Sequence, residues 1–417
     1  MFYGWWIVLS CFLISLYMAG TIFYSLTAFF QPIIEEFGWS YTQISAAASL
    51  RGLEMGIFAP VVGFLVDRYG SKMVMHIGIL VVGVGLLALS MTQSLFLFYM
   101  AFLLVGFGAG GCTSVVVMTV VAKWFKKKVS LALGLAAAGF GSGGLLVPVV
   151  VWMIDKFNWR LTLIILGLTA WVILFPLTFF IRNRPEDYGL LPDGEVIPGK
   201  IAEETESLPL PSNGPEENIS FGEAIKNRDF WFFCTAEAVR LMVLVSIVLH
   251  IMPYFDSLGI PRSTSGLVAG GLAVLSVLGR TGFGFLGDYY DKRYITAFSY
   301  GLMTMGLIVF TILLKGNWSL FLFLILFAPG YGGGMTMRGA LLREYFGTGS
   351  YGKILGLAMG IGSFTSIIGP VLAGWVYDTF GRYQQLWMVY IGLNILGILF
   401  ILGIRPTGKE QTLDDQG

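Results

Sequence analysis

Twelve apolar segments recur along this chain, each near or above the length of about 20 residues that a helix needs to cross a bilayer. Because the bilayer core offers no water to unpaired backbone groups, such segments must form helices or a closed barrel. The alternating segments of about 10 residues typical of a barrel are absent from the sequence. We therefore predict an all-α membrane protein with spanning helices at 5–30, 43–66, 73–92, 95–121, 129–153, 160–182, 230–255, 264–287, 294–314, 318–342, 352–377 and 384–404.

The charge content supports a lipid-embedded chain. Charged residues make up 12% of the sequence, about half the share typical of soluble domains. This excludes an ordinary soluble enzyme and a nucleic-acid-binding protein, and it makes the lipid bilayer the expected surroundings. We expect the three cysteines to be free buried thiols, and we expect no metal or other cofactor, because the sequence lacks a Cys-x-x-Cys pattern and a Cys/His cluster: Cys11, Cys112 and Cys234.

A polar stretch divides the twelve helices into two sets of six. Residues 183–229 contain six prolines, a mixture of charges and no long apolar run, as a soluble linker does. We predict an N-terminal six-helix bundle at 1–182, the linker at 183–229, a C-terminal bundle at 230–404 and a polar tail at 405–417.

The basic residues predict the orientation. Of 26 Lys and Arg, 18 fall on the side of the termini, 5 on the other side, and Arg51, Arg240 and Arg280 lie within spanning segments. Arg338 is counted among the 18, with a place inside the end of its helix as the alternative. The positive-inside rule then places both termini and the linker in the cytoplasm. We expect a multi-pass protein of the inner (plasma) membrane, with the first apolar segment retained as a helix.

An internal repeat relates the two halves. The sequence Gly63-Phe-Leu-Val-Asp67 reappears as Gly284-Phe-Leu-Gly-Asp288, and Lys72 corresponds to Arg293. Repeats of six helices in the same direction predict two pseudo-symmetric bundles related by an axis along the membrane normal. Such bundles carry a substrate at their interface, alternately open to each side.

Residues 63–72 resemble the loop motif between helices two and three of the major facilitator superfamily, and 284–293 resemble its weaker second copy. The glycine allows close helix packing, and the charged residues form a cytoplasmic network that must break when that side opens. The expected gating residues are Asp67, Arg68, Lys72, Asp288 and Arg293.

A narrower resemblance concerns substrate. Residues 123–139, which begin Lys-Trp-Phe-Lys-Lys-Lys, are similar to the signature entering helix five of the monocarboxylate transporter family. Residues 3–6 resemble its helix-one motif without the usual acidic residue. The resemblance implies a bacterial homologue, related to the oxalate:formate antiporters, that carries a small monocarboxylate anion together with a proton.

Arg280 is the main candidate for binding substrate. It lies in an apolar helix with no acid within four positions, where a charge costs several kcal/mol unless it finds a partner. That partner is either a distant carboxylate of the protein or the carboxylate of a substrate, which a guanidinium binds in a bidentate fork. Arg280 matches the carboxylate-binding arginine of the resembled family, while Ser276 replaces the aspartate implicated there in proton coupling.

Further candidates follow from the same resemblance. Tyr24 stands where the family has a functional lysine, and Tyr331 matches an aromatic residue that shapes substrate size; either residue is alternatively a packing aromatic. The oxalate exchangers carry a second cation in helix eleven, where this chain has Ser363 in an uncharged stretch. One available cation suits a monoanion better than a dianion.

The proton-coupling candidates are His250, Asp256 and Glu54. His250 titrates near physiological pH and precedes Asp256 by six residues, although a structural role is an equal alternative. Glu54 shares a helix face with a cation three positions away, and a second such pair occurs in helix seven. We interpret both as self-neutralising pairs or a gate between bundles in preference to substrate contacts: Arg51–Glu54 and Glu237–Arg240.

The sequence contains no nucleotide-binding P-loop, so transport driven by ATP is disfavoured and an enzyme is not expected. We expect a proton symporter of lactate or pyruvate type. The alternatives are a carboxylate exchanger and a non-transporting carboxylate sensor. We expect no ancillary subunit.

Overall fold

The computed structural model describes residues 2–39, 43–44, 58–112, 114–194, 219–313 and 316–405. Eleven of its helices are apolar and long enough to cross a membrane, and helix 58–69 belongs to the predicted segment 43–66. The predicted all-α fold of twelve helices is confirmed. The helices are α1 (Gly4–Tyr24), α2 (58–69), α3 (Ser71–Ser90), α4 (Leu95–Gly110 and Ser114–Trp124), α5 (Val129–Phe157), α6 (Trp159–Phe179), α7 (Arg228–Ser257), α8 (Arg262–Tyr289), α9 (Lys292–Ile312), α10 (Asn317–Phe346), α11 (Tyr351–Phe380) and α12 (Gln384–Leu402).

The helices form two bundles, α1–α6 and α7–α12, whose apolar interiors meet. One hydrophobic core fills the first bundle and continues into the second through residues such as Phe283, Met337 and Ile354. A separate core fills the rest of the second bundle. An extensive contact between the bundles joins α5 to α8.

Both chain ends meet the linker at one end of the molecule, called here the linker end. A Cβ on Gly194 of the linker would lie 2.7 Å from the Phe2 ring, and Nη2 of Arg228, at the end of the linker, donates to the Gly403 carbonyl at 3.3 Å. The predicted domain boundaries stay predictions, and residues 195–218 and 406–417 of the linker and tail lie outside the described part. The three cysteines are buried and free, as predicted.

Local irregularities shape several helices. The last turn of α1, Ala19–Tyr24, widens into a π-helical turn, a feature frequent at functional sites. Helices α7, α10 and α11 contain Pro253, Pro329 and Pro370, each of which removes an intrahelical hydrogen bond.

Close helix packing explains part of the high glycine content of 55 residues. A Cβ on Gly63 would lie 2.1 Å from the Gly352 carbonyl oxygen, and one on Gly284 would lie 2.7 Å from that of Ser130. The glycines of the sequence repeat therefore allow each bundle to touch the other. By contrast, a Cβ on Gly270 would meet no described atom within 4 Å.

Candidate functional site

Arg280 lies in α8 at the interface of the two bundles, with none of its surface exposed. Its Nη1 donates to the Ala137 carbonyl of α5 at 2.9 Å, and its Nη2 donates to the Tyr331 hydroxyl at 3.1 Å. Nη2 also lies 3.4 Å from the Met335 sulfur, and Nε is buried without a hydrogen-bond partner among the described residues. The guanidinium is thus held by neutral groups from both bundles.

Small and aromatic residues surround this guanidinium. A Cβ on Gly141 of α5 would lie 2.5 Å from Nη1, so this glycine leaves the space that the arginine occupies. The Arg280 Cζ atom lies 6.0 Å from the Phe140 ring centroid and 5.5 Å from that of Tyr331. Tyr24, at the end of the π-helical turn, lies close enough to interact electrostatically with Arg280 and Tyr331. The structure brings these predicted residues together.

None of the ion pairs in the described part of the chain includes Arg280. A buried guanidinium without a carboxylate is costly, and its remaining donor capacity favours an anionic ligand. The arrangement is therefore suited to binding a carboxylate, with an aromatic hydroxyl beside it.

The hydroxyls of the two predicted serines form hydrogen bonds within their own helices. Ser276, one helical turn before the arginine, donates to the Ala273 carbonyl at 2.7 Å. Ser363 donates to the Met359 carbonyl at 2.9 Å. Each hydroxyl is bound to the carbonyl of its own helix, which weakens the case for either as a substrate ligand.

The proton-coupling candidates lie elsewhere. The ring nitrogens of His250 lie 3.3 Å from the Tyr383 hydroxyl and 3.0 Å from the Pro370 carbonyl, both within the second bundle. Asp256 is exposed at the end of α7. Glu54 and its neighbour Arg51 lie outside the described residues. The described contacts connect none of these residues to Arg280.

The repeated aspartates link the bundles reciprocally at the linker end. The Asp67 carboxylate accepts from the backbone N–H groups of Gly352 and Lys353 at 3.1 and 2.9 Å, at the start of α11. The Asp288 carboxylate accepts from those of Ser130 and Leu131 at 2.7 and 3.0 Å, at the start of α5. Each carboxylate satisfies free N–H groups at a helix start in the opposite bundle.

The basic partners of the repeat differ from the predicted charge network. Arg68 is exposed, with its Cζ 5.4 Å from the ring centroid of the adjacent Tyr69, and Lys72 lies 5.7 Å from the Phe179 ring centroid. Arg293 pairs with Asp291 and donates to the Ile404 carbonyl at 3.0 Å. Each of these described contacts stays within one bundle. The aspartates, and not these basic residues, make the contacts to the opposite bundle, through its backbone N–H groups.

A second buried cluster was only partly anticipated. Arg240 binds the Glu237 carboxylate through Nε and Nη2 at 2.7 and 2.6 Å, as the spacing predicts. Arg338 of α10 also binds this carboxylate at 3.1 Å and is 3% exposed, so it lies inside its helix, the alternative given for it, and not in an aqueous loop. Its position inside an apolar run was the signal available in the sequence. Two guanidinium groups thus share one carboxylate.

Comparison with known proteins agrees with this architecture. The family model of the Major Facilitator Superfamily matches residues 9–254 and, in a second match, residues 238–416. Human monocarboxylate transporter 2 is 24% identical over 399 residues, covering 92% of this chain and 82% of that protein. Monocarboxylate transporter 3 of Gallus gallus is 23% identical over 426 residues, covering 96% and 77%. A solved structure of the Escherichia coli fucose:proton symporter has the same fold, with a TM-score of 0.69 at 15% identity over 98% of this chain and all of that one.

Proposed function

This chain belongs to the Major Facilitator Superfamily, and we propose that it is a secondary active transporter of small monocarboxylates such as lactate or pyruvate. The observation that carries the proposal is Arg280, a fully buried cation at the bundle interface whose described hydrogen-bond partners are neutral. The likeness to monocarboxylate transporters supplies the substrate class. We propose no enzymatic reaction and no ancillary subunit.

In the proposed binding step, the substrate carboxylate pairs with the Arg280 guanidinium and accepts a hydrogen bond from a nearby tyrosine. Tyr331 is already 3.1 Å from Nη2, and Tyr24 lies beside it. Pairing replaces an uncompensated buried charge with an ion pair, which lowers its electrostatic cost in the membrane interior.

Alternating access then requires the bundles to part at the linker end. The carboxylates of Asp67 and Asp288 each bridge the bundles there, so both bridges must break as that end opens. We place the protein in the inner (plasma) membrane with its linker and termini in the cytoplasm. In that orientation, the structure is closed toward the cytoplasm. The charge distribution of the loops supports that orientation.

We propose that a proton accompanies the anion, because a neutral load crosses the low-dielectric interior at lower cost than a bare charge. His250, Glu54 and Asp256 remain the proposed proton sites. His250 has described partners in α11 and in the segment before α12, so its protonation would act on the packing of the second bundle.

An exchanger is the second candidate, and one observation favours it. When the carrier is empty, Arg280 has no carboxylate partner among the described residues, so reorienting the empty protein moves an uncompensated buried cation. An obligatory exchanger avoids this step because only the loaded form reorients.

One experiment separates these candidates. Purified protein in liposomes lacking internal substrate should accumulate radiolabelled lactate or pyruvate when the outside is made acidic. Uptake that requires preloaded internal carboxylate would instead identify an exchanger, and binding without flux would identify a sensor.

The site is tested by Arg280→Ala and Arg280→Lys. Charge-assisted hydrogen bonds contribute about 1.5–3 kcal/mol each, so the alanine variant should lose at least roughly tenfold in uptake at low substrate. Lysine keeps the charge without the bidentate fork and should retain a small fraction. Arg382→Ala, at an exposed position, is the matched control. Full uptake by correctly folded Arg280→Ala would refute the assignment.

A further inference from the structure

Among the described residues, the cluster around Glu237 contains two guanidinium groups and one carboxylate, which leaves one positive charge unbalanced. The carboxylate accepts from Arg240 twice, from Arg338 at 3.1 Å and from the Tyr300 hydroxyl at 2.9 Å. The bidentate bond makes Glu237 and Arg240 a complete pair, and both side chains are fully buried. Arg338 makes a single bond to the carboxylate and is therefore the surplus cation; its Nε, like Nη1 of Arg240, is buried without a described partner.

Arg338 is also the member of the cluster that crosses to the other bundle. Its Nη2 donates to the Ser114 hydroxyl of α4 at 2.8 Å, a neutral acceptor. When the bundles part at the linker end, Ser114 moves away with the first bundle. The guanidinium then faces the newly opened space with a surplus charge and an unsatisfied N–H group, which is the chemistry that recognises a carboxylate.

The position of Arg338 along α10 places it between the main site and the linker end. Tyr331 and Met335, which contact Arg280, come earlier in the same helix, and Arg338 follows Tyr331 by about 10 Å of helix rise. Beyond it, a cavity of about 200 Å³ is lined by residues of both bundles and of the linker, three of them cationic: Lys123, Arg184, Glu186, Pro192, Arg343, Thr348 and Gly349. Positive charge thus continues toward the linker end.

We propose that Arg338 is a second substrate-contact residue, which receives the carboxylate from Arg280 when the linker end is open and holds it before release on that side. While the linker end is closed, the Ser114 hydroxyl accepts a hydrogen bond from Nη2 of Arg338, which in the open form is available to the carboxylate. This inference rests on the proposed transport function and adds a binding step used only on the linker side.

The test compares Arg338→Gln with Ser114→Ala in oriented proteoliposomes, measuring the KM for radiolabelled lactate from each side. Arg338→Gln should fold, because Glu237 keeps its bidentate bond to Arg240 and the bond from Tyr300. Loss of one charge-assisted contact should raise the linker-side KM roughly tenfold. The KM on the opposite side should stay within about twofold, because the contact is not made there. Arg338→Lys should restore part of the linker-side affinity.

The sign of the change distinguishes a substrate contact from a latch. Removing a latch favours the form open at the linker end, so it lowers the linker-side KM or leaves it unchanged, and Ser114→Ala should behave in this way. An unchanged or lowered linker-side KM in Arg338→Gln would overturn the proposal, as would a rise equally large in Ser114→Ala. If wild-type protein takes up no monocarboxylate at all, the transport function itself fails, which is a separate result.

Discussion

Removing either repeated aspartate should shift the protein toward the form that is open at the linker end. Asp67 and Asp288 each accept two backbone N–H groups from the opposite bundle, at distances of 2.7 to 3.1 Å. These bonds exist only while the bundles touch there. These four hydrogen bonds therefore stabilise the closed form and not the open form.

The magnitude follows from the geometry. A side chain that caps a helix start contributes about 0.5–2 kcal/mol, and a negative charge there adds about 0.3–1 kcal/mol through the helix dipole. An alanine at either position should therefore remove about 1–3 kcal/mol, which shifts the closed-to-open ratio by roughly 5-fold to 150-fold. Asparagine retains one acceptor oxygen and should produce about half of this free-energy change.

Distance measurements between spin labels can follow this shift. Nitroxides at Met73 and Tyr294, exposed positions near the linker end of the first and second bundle, report the separation of the bundles. The three native cysteines are first replaced. Double electron–electron resonance should show a longer distance gaining population in Asp288→Ala and in Asp67→Ala, and still more in the double variant.

A matched control is Asp155→Ala, which removes an exposed aspartate from the opposite end of α5. Its distance distribution should match that of the parent protein. If Asp288→Ala and Asp67→Ala also match the parent, the two carboxylates contribute nothing to closure and the reasoning is refuted.

Three further predictions concern packing, binding and pH. Gly134→Ala should impair transport because its Cβ would lie 2.3 Å from a carbonyl oxygen of α8, while Gly270→Ala, in open space, should not; uptake rates compare them. Tyr331→Phe should raise the KM about 2-fold to 12-fold, the equivalent of one neutral hydrogen bond of 0.5–1.5 kcal/mol, and an unchanged KM would exclude the hydroxyl from binding. The hydrogen bond from Arg160 holds the pKa of Glu36 in the folded protein below its ordinary value of 4.5. The ionised Glu36 therefore stabilises the folded protein above pH 4.5, and this contribution is lost as the pH falls through the lowered pKa. Glu36→Gln should remove that pH dependence, worth less than about 1 kcal/mol for an exposed pair, in thermal unfolding series from pH 7 to 3.

Much of the fold was predictable because membrane helices are recognised by length and hydropathy alone. The predicted start of α8 at 264 and the observed one at Arg262 differ by two residues, whereas α1 ends at Tyr24, six residues before its predicted end at 30. The repeat of Gly63 and Asp67 at Gly284 and Asp288 indicated two related bundles. It also marked the residues that join them, although their partners were unpredictable from the motif.

The candidate site was predictable at Arg280, where an isolated charge in an apolar helix stands out, and through family resemblance at Tyr331. Other contributors carry no such signal. Ala137 acts through its backbone carbonyl, and Gly141 acts by leaving space for the guanidinium. The spacing along α7 predicted the pairing of Glu237 with Arg240, but it did not indicate that Arg338 of α10 would join them.

The sequence by itself thus determined the membrane-spanning helices, their division into two repeats and the isolation of one buried cation, because each follows from hydropathy and spacing along a single segment. Tertiary structure alone decided which groups meet across the bundles. The aspartates bind backbone N–H groups at helix starts in the opposite bundle. Arg338 binds the buried carboxylate of Glu237, which lies 101 positions earlier in the chain. Such contacts depend on how helices that are distant in the sequence pack together, and no local pattern in the sequence specifies that packing.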